Sequence, residues 1–331
     1  MEKRKLGNSD MMITRVGLGA WAIGGSWRWG WGEQKDSDSV AAINKAVDLG
    51  VNWIDTAPVY GLGHSEEVVG SAIRNMPFSD RPYIFTKCGL CWDPNDKNKS
   101  QEAVARLKAE SVRKEAEDSL RRLGVDAIDL YQIHWPNPNC DIEEAWTEMA
   151  RLKEEGKVRW IGVSNHSPRQ MDRLANIAPI TSLQPQYNII NRTIEDGILP
   201  YCDKKGIGVV VYSPMASGLL AGRMTRERIA SLPDDDWRKK DFNFTGVKLA
   251  ENLKIVDAMT AIAKRKGVPV AQIAIAWALN NHIVTGAIVG MRSPTQAEET
   301  VPAAGFKLAD EDVEELEGIW TPADTCTLIW R

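Results

Sequence analysis

Asp55, Tyr60, Lys87 and His134 each lie at or just past the end of an apolar, strand-like run, and their side chains are complementary in acid–base chemistry. The runs read Val51-Asn-Trp-Ile-Asp55-Thr-Ala-Pro-Val-Tyr60-Gly61, then Tyr83-Ile-Phe-Thr-Lys87, then Ile128-Asp-Leu-Tyr-Gln-Ile-His134. Hydride reduction of an aldehyde or ketone builds negative charge on oxygen, so such a site needs a proton donor aimed at that atom. Tyr60 is the candidate donor. A free phenol has a pKa of about 10, and a nearby cation, here Lys87, is expected to lower it toward working pH. A lysine at the end of a buried strand needs a counter-charge, which Asp55 can supply. His134 completes the set, as a neutral partner that orients the carbonyl or as part of the proton path. Each residue alone has a plainer reading, as a loop salt bridge or a satisfied structural histidine; the four together point to chemistry.

Placing the four at one point requires adjacent strand ends. Apolar β-rich runs recur at 16–21, 51–57, 83–89, 127–135, 158–164, 182–188, 208–214 and 286–291. Most are apolar throughout, as expected of strands covered on both faces. Helical patterns separate them. Ser37 through Leu49 stops at Gly50, Asp141 through Glu155 stops at Gly156, and Ser167-Pro168 reads as an N-cap followed by a first-turn proline. Arg106 through Leu123 sets Val112, Ala116, Leu120 and Leu123 on one apolar face. Ala250 to Lys266, Val270 to Asn280 and Asp310 to Trp320 supply further helices. Eight such alternations favour a closed (β/α)8 TIM barrel of the α/β class over an open sheet. The expected molecule is one barrel domain over residues 1–331, with an N-terminal β-hairpin at the turn-like Gly7-Asn8-Ser9-Asp10 and long loops over the C-terminal mouth. The stretch from Gly218 to Lys248 is too long for an ordinary connection and reads as a loop across that mouth.

Composition narrows the partners. With 41 Lys+Arg against 45 Asp+Glu the charge is near balance, which gives no basic field for nucleic acid. Nothing approaches the roughly 20 apolar residues needed to cross a bilayer. Five cysteines, Cys88, Cys91, Cys140, Cys202 and Cys326, are sparse and odd in number, which suits a reducing, cytoplasmic setting. The Asn191 to Thr193 glycosylation triplet then carries no meaning. A small-molecule carbonyl substrate is the expected partner, with no nucleic acid and no membrane. A homo-oligomer stays open.

These motifs together resemble the aldo-keto reductase family, nearly end to end, and within it the branch of bacterial general-stress and inositol-operon proteins and potassium-channel β-subunits. Asp55-Thr-Ala-Pro-Val-Tyr60-Gly61 with Ser65-Glu66 and Gly70 is similar to the family's first signature. Asp118 to Asp129 with Leu130, Thr86-Lys87, Gly162-Val163-Ser164-Asn165 and Tyr212-Ser213-Pro214 complete the likeness. The resemblance implies Asp55, Tyr60, Lys87 and His134 as the catalytic set and a nicotinamide cofactor, NADP(H) or alternatively NAD(H), extended over the barrel mouth. It places Trp21, Asp55, Ser164, Asn165, Gln184 and Tyr212 around the nicotinamide end, and Ser213, Pro214, Leu219 and Gly222 along the pyrophosphate. Gly290, Arg292, Gln296 and Glu299 would hold the adenosine end, where Arg292 suits a 2′-phosphate. Arg292 as a solvated helix-start residue is the plainer alternative. The family often has Asn after that Glu; Thr300 stands there, which puts one adenine contact in doubt. The implied activity is reduction of an aldehyde or ketone, a small aldehyde or a sugar-like carbonyl, to an alcohol, with Tyr60 as general acid/base. The alternatives are a cofactor-binding regulatory module like a potassium-channel β-subunit, and physiological oxidation of a sugar or polyol.

Other signals are weaker. Gly17-Leu-Gly19-Ala-Trp-Ala22 imitates a dinucleotide fingerprint, but no helix follows to present its N-terminus to a pyrophosphate. Cys88-Gly-Leu-Cys91 has redox or zinc-half-site spacing without a second pair. His64, His166 and His282 read as surface or loop groups. Trp21, Trp92 and Trp135 follow strands and are expected to wall a substrate pocket, whereas Trp27, Trp29 and Trp31 fit loop packing, a subunit contact or the pocket equally.

Overall fold

Eight parallel strands close on themselves in chain order, each hydrogen-bonded to the next and the last to the first. An antiparallel hairpin, β1 (Lys3–Lys5) and β2 (Met12–Thr14), precedes them, paired with Lys3 opposite Thr14. The barrel begins with β3 (Val16–Gly19), β4 (Trp53–Asp55) and β5 (Tyr83–Cys88). A short ribbon, β6 (Leu90–Cys91) with β7 (Val104–Ala105), interrupts it before β8 (Ile128–Ile133). Then follow β9 (Val158–Ser164), β10 (Ser182–Gln184), β11 (Gly208–Val211) and β12 (Val284–Gly290), and β12 pairs with β3. The computed structural model describes residues 1–320 apart from Lys97, Lys99, Ser100 and Asp235; Cys326 lies outside the described residues.

Helices connect the strands: α1 (Asp36–Asp48), α2 (His64–Arg74), α3 (Ala109–Leu123), α4 (Ile142–Glu154), α5 (Pro168–Ala175) and α6 (Ile198–Lys205). Three more, α7 (Arg226–Ala230), α8 (Gly246–Lys266) and α9 (Val270–Asn280), fill the long connection before β12, and α10 (Pro294–Thr300) and α11 (Asp310–Ile319) follow it. The tenth strand stops at Gln184, short of the expected 188, because Pro185 has no N–H to continue the ladder. The stretch after Gly218 is more ordered than a plain loop. Thr225, Asp236 and Asp241 accept from the backbone N–H of Arg228, Arg238 and Asn243, so three local caps start α7 and two 3-10 turns there.

Strand alternation divides the core into two. Ile54, Ile84, Tyr131 and Ile133 face the helices and join their apolar faces in the larger cluster. Trp53, Phe85, Leu130, Val210 and Ile288 point inward and meet Leu6, Met11 and Ile13 of the hairpin, which plugs the N-terminal end. Trp53 sets the packing there. Its ring lies 5.1 Å from Phe85, its Nε1 donates to the Thr14 carbonyl at 2.9 Å, and a Cβ at Gly17 would come within 2.1 Å of it. Gly17 is therefore glycine to admit an indole, not to approach a phosphate. Two residues further along the same strands, period two places Asp55, Lys87 and Gln132 on the inward face nearer the C-terminal end.

Candidate active site

The inward polar layer is buried and knit together. Lys87 Nζ donates to Asp55 Oδ1 at 2.6 Å and to the Thr56 carbonyl at 2.9 Å, with both charged side chains almost fully enclosed. The second oxygen of Asp55 accepts from Gln184 Nε2 at 2.7 Å and from Gln132 Nε2 at 3.4 Å, and Gln184 also donates to Gln132 Oε1 at 3.2 Å. A carboxylate with one ammonium and two amide donors is fully provided for, which is the condition under which a buried ion pair is tolerated.

Tyr60 reaches this layer from the turn after β4. Tyr60 N donates to the Ala57 carbonyl at 3.1 Å and Gly63 N to that of Pro58 at 2.7 Å, folding the chain back over the strand end. Gly61 packs so closely on Gly24 that a Cβ there would lie 2.2 Å from the Gly24 carbonyl oxygen, and its φ of +65° suits glycine. The turn brings the phenol oxygen to 3.5 Å from Lys87 Nζ, at the outer limit of a hydrogen bond. The imidazole of His134, one residue past β8, meets the Tyr60 ring edge-on at 5.8 Å between centroids. Asp55, Tyr60, Lys87 and His134 are thus brought together at the C-terminal mouth, from adjacent strands.

The electrostatics correct one expectation. Burial, with the Asp55 charge beside it, pushes the Tyr60 phenol well above its usual range rather than toward neutral pH. Burial lowers the Lys87 ammonium and Asp55 opposes that fall. The lysine's field at the phenol is largely cancelled by the carboxylate 2.6 Å behind it. Burial, then the Lys87 charge, hold His134 well below its usual range, so its imidazole is neutral.

Beyond the four, a polar path runs along the mouth. Ser164 Oγ donates to the Gln184 carbonyl at 2.8 Å; Asn165 Nδ2 donates to Ser164 Oγ at 3.0 Å and to the His134 carbonyl at 3.2 Å; Tyr212 OH donates to Asn165 Oδ1 at 3.1 Å. Asn165 holds a left-handed backbone, φ +60°, as Asn tolerates. Ser213, Ala216, Ser217, Gly218 and Gly222 also have positive φ, the last at +76°, around Pro214 and the buried Leu219. These left-handed residues close the turn on itself: Ala216 N donates to the Ser213 carbonyl at 2.9 Å, and Gly218 N and Leu220 N to that of Met215 at 3.0 and 3.1 Å. Arg238, its guanidinium paired with the buried Asp236 at 2.6 Å, also donates to the Ser217 carbonyl at 3.4 Å. Further on, past Gly290, the Arg292 guanidinium grips Gln34 Oε1 at 2.7 Å and the Glu33 carbonyl at 2.9 Å, while Gln296 Oε1 accepts from Arg292 N at 2.7 Å. Glu299 pairs with Arg223 at 2.5 Å, and the Thr300 hydroxyl is spent on the Gln296 carbonyl at 2.7 Å. These groups form a polar path along the mouth from Ser164 to Arg292, its donors held by protein acceptors.

The tryptophans divide. Trp21 stands at the centre of a ring cluster, with Trp31 at 4.9 Å, Trp27 at 6.3 Å and Trp237 at 6.5 Å, each edge-on. Trp27 lies 6.1 Å from the Tyr60 ring and Trp135 stacks on His134 at 6.4 Å. Trp92 is not in this cluster: it lies under the Arg122 guanidinium at 5.8 Å and against Gly63. Trp237, some 200 residues from Trp21 in sequence, gave no signal of its own in the chain.

One further reading changes. His166 is buried, its Nδ1 at 2.8 Å from the Ser164 carbonyl, and burial lowers its pKa to about 4; His64 and His282 do lie toward the surface, His64 against Asp36 at 2.9 Å. Gln132, Thr56 and Glu66 also belong to the site's framework. Glu66, buried, takes Arg122 Nε at 2.7 Å and the Thr86 hydroxyl at 2.6 Å, which ties α2 to α3 and to β5 beside Lys87. A polar residue at an inward position of an otherwise apolar strand, as Gln132 two before His134, was the available signal. Cys88, Cys91, Cys140 and Cys202 are free, and among the described residues no group of three or more His, Cys, Asp or Glu could hold a metal ion. No described helix is long and apolar enough to cross a membrane.

The comparisons agree with this geometry. The Aldo/keto reductase family model matches residues 15–321. The aldo-keto reductase YhdN of Bacillus subtilis is 37% identical over 96% of this chain and 93% of its own length, and the NADH-specific methylglyoxal reductase of Escherichia coli 33% over 94% and 96%. Among solved structures, the glycerol dehydrogenase AKR11B4 from Gluconobacter oxydans superposes with a TM-score of 0.87 at 39% identity, covering 96% of this chain and 94% of that one. The holo form of aldo-keto reductase AKR11C1 from Bacillus halodurans gives 0.78 at 25% identity, covering 98% and 97%. With its closed barrel, the buried Asp55–Lys87 pair under Tyr60 and these matches along almost its whole length, the chain belongs to the aldo/keto reductase family of oxidoreductases, which work with NADP(H) or NAD(H).

Proposed function

We propose that this chain, as one barrel unit over residues 1–331, is an NADP(H)-dependent reductase of small aldehydes and ketones, acting in the cytoplasm, with Tyr60 as the proton donor. The observation that carries the reading is the phenol oxygen 3.5 Å from a buried ammonium, itself locked on Asp55, beside a neutral imidazole at the barrel mouth. A phenol held above its usual range stays protonated through neutral pH and serves as a donor. His134, neutral, presents a ring nitrogen to the substrate oxygen and fixes where the carbonyl points. Ser164 and Asn165 orient the cofactor's carboxamide, Gln184 offers it an amide oxygen while its nitrogen holds Asp55, and Tyr212 and Trp21 flank the ring. Ser213, Pro214, Leu219 and Gly222 line the phosphates; Gly290, Arg292, Gln296 and Glu299 hold the adenosine end, with Arg292 favouring a 2′-phosphate. The bound cofactor supplies the hydride.

Trp21, linked to the phenol ring through Trp27, and Trp135, stacked on the imidazole, would wall the pocket. The test is Tyr60→Phe. NADPH consumption with a panel of aldehydes and ketones should fall by about 10²- to 10⁴-fold while the Kd for NADPH stays within a few fold. Wild-type-like turnover in that variant removes Tyr60 from the role, and tight NADPH binding without turnover by the unmodified protein favours a regulatory module. Oxidation of a polyol is a second reading, favoured by the likeness to a glycerol dehydrogenase.

A further inference from the structure

We propose that the indole N–H groups of Trp27, Trp31 and Trp237 select the substrate, and that what they select carries oxygen atoms beyond the reacting carbonyl, as a hydroxyaldehyde, hydroxyketone or sugar does. The proposal rests on the reductase reading above and extends it from reaction to substrate class.

All three Nε1 atoms are buried and have no hydrogen-bond partner among the described residues. Buried donors almost always find an acceptor, and an indole has no second polar atom through which to compensate. One orphan would pass as imperfect loop packing. Three in a single ring cluster around Trp21, contributed by two segments far apart in the chain, are a set of unmade donors beside the mouth. The cluster reaches the chemistry through Trp27, whose ring is 6.1 Å from that of Tyr60. An alkyl tail would satisfy the ring faces and leave every N–H unmade; hydroxyl oxygens one and two carbons from the carbonyl can accept them. A site built to bond substrate oxygens discriminates strongly against the analogue without them, because its own donors are then left dry.

The cofactor's ribose and phosphate oxygens are a second source of acceptors, chiefly for Trp31, which lies under Arg238 at 4.6 Å on the side of the left-handed turn. The experiment separates the two sources. Trp27→Phe, and a variant with 3-benzothienylalanine at position 27, which keeps the bicyclic shape and lacks the N–H, are compared with the unmodified protein on glyceraldehyde and propanal, three-carbon aldehydes differing only in hydroxyls. The glyceraldehyde-to-propanal ratio of kcat/KM should fall tenfold or more in both variants, with the Kd for NADPH within twofold. An unchanged ratio overturns the proposal, whether both rates fall together or neither moves. A ratio that falls only in Trp27→Phe overturns it too, since shape rather than the N–H then decides. A rise in the NADPH Kd that accounts for the loss reassigns the donor to the cofactor. No NADPH consumption by the unmodified protein on either aldehyde instead sinks the reductase reading itself.

Discussion

Replacing Asp55 by Asn tests the buried pair on which the site is built. Lys87 Nζ sits 2.6 Å from Asp55 Oδ1 with 0% and 3% of the two side chains exposed. Coulomb attraction at that separation is about 6 kcal/mol for an effective dielectric constant of about 20. Part survives in Asp55→Asn, because the amide oxygen and the Thr56 carbonyl still accept from the amine, so a loss of about 3–5 kcal/mol near neutral pH is expected. The pH dependence is the sharper test. Burial already holds Lys87 below its usual range, against the opposing pull of Asp55, and removing Asp55 lowers it further. An amine whose folded-state pKa is depressed binds fewer protons folded than unfolded. Stability therefore rises with pH between that depressed value and about 10.4, by up to about 1.4 kcal/mol per pH unit. The deficit of Asp55→Asn should be largest below the variant's depressed lysine pKa and shrink as pH rises from there toward about 10.4, as the amine sheds its proton. Guanidinium unfolding followed by the fluorescence of the 13 tryptophans measures it. The double variant Asp55→Asn/Lys87→Met buries no charge, so its stability should change with pH less steeply than that of Asp55→Asn. A deficit that is absent, or constant across that range, refutes the account of Lys87 as a buried, partner-dependent cation.

Two further outcomes follow from the same geometry. Because burial raises the Tyr60 phenol and depresses His134, the kcat for carbonyl reduction should be level from about pH 6 to about pH 9 and decline only in stronger alkali; an alkaline limb centred at about 7–8 would mean that Lys87 does acidify the phenol. Arg292→Ala should weaken NADPH by about tenfold or more, the worth of a charge-assisted phosphate contact, and leave NADH nearly unchanged in fluorescence titrations; equal losses for both would place Arg292 away from the 2′-phosphate.

The barrel and its four central residues were legible because both follow from local rules. Uninterrupted apolar runs announce doubly covered strands, and functional groups at successive strand ends must converge once the sheet closes. Pro185, which ends β10 early, is just as readable in retrospect. What was not legible depends on distances through space. Whether Lys87 acidifies Tyr60 is decided by how much of its charge Asp55 cancels, and spacing along the chain does not carry that. His166 read as a surface or loop group, yet the left-handed backbone at Asn165 turns it inward onto Ser164. Trp237 lay in a charged, turn-rich stretch whose local caps order it against Trp21, a contact between segments some 200 residues apart.

The raised phenol and the adjacent ammonium are compatible once the protons are counted. Lys87 has three N–H bonds, and two are committed, to Asp55 and to the Thr56 carbonyl. The third points at the Tyr60 oxygen, which can only accept it, so the phenol's own hydrogen is left to point elsewhere, and the mouth is the open direction. In the resting site the lysine thus orients the tyrosine more than it acidifies it. In the proposed reduction, as the proton leaves for the substrate oxygen, charge would grow on the phenolate 3.5 Å from the ammonium, and the long contact would gain strength at that moment. An interaction weak in the ground state and strong in the transition state lowers the barrier, whereas a phenol already ionised would have bound the cation tightly and had no proton to give.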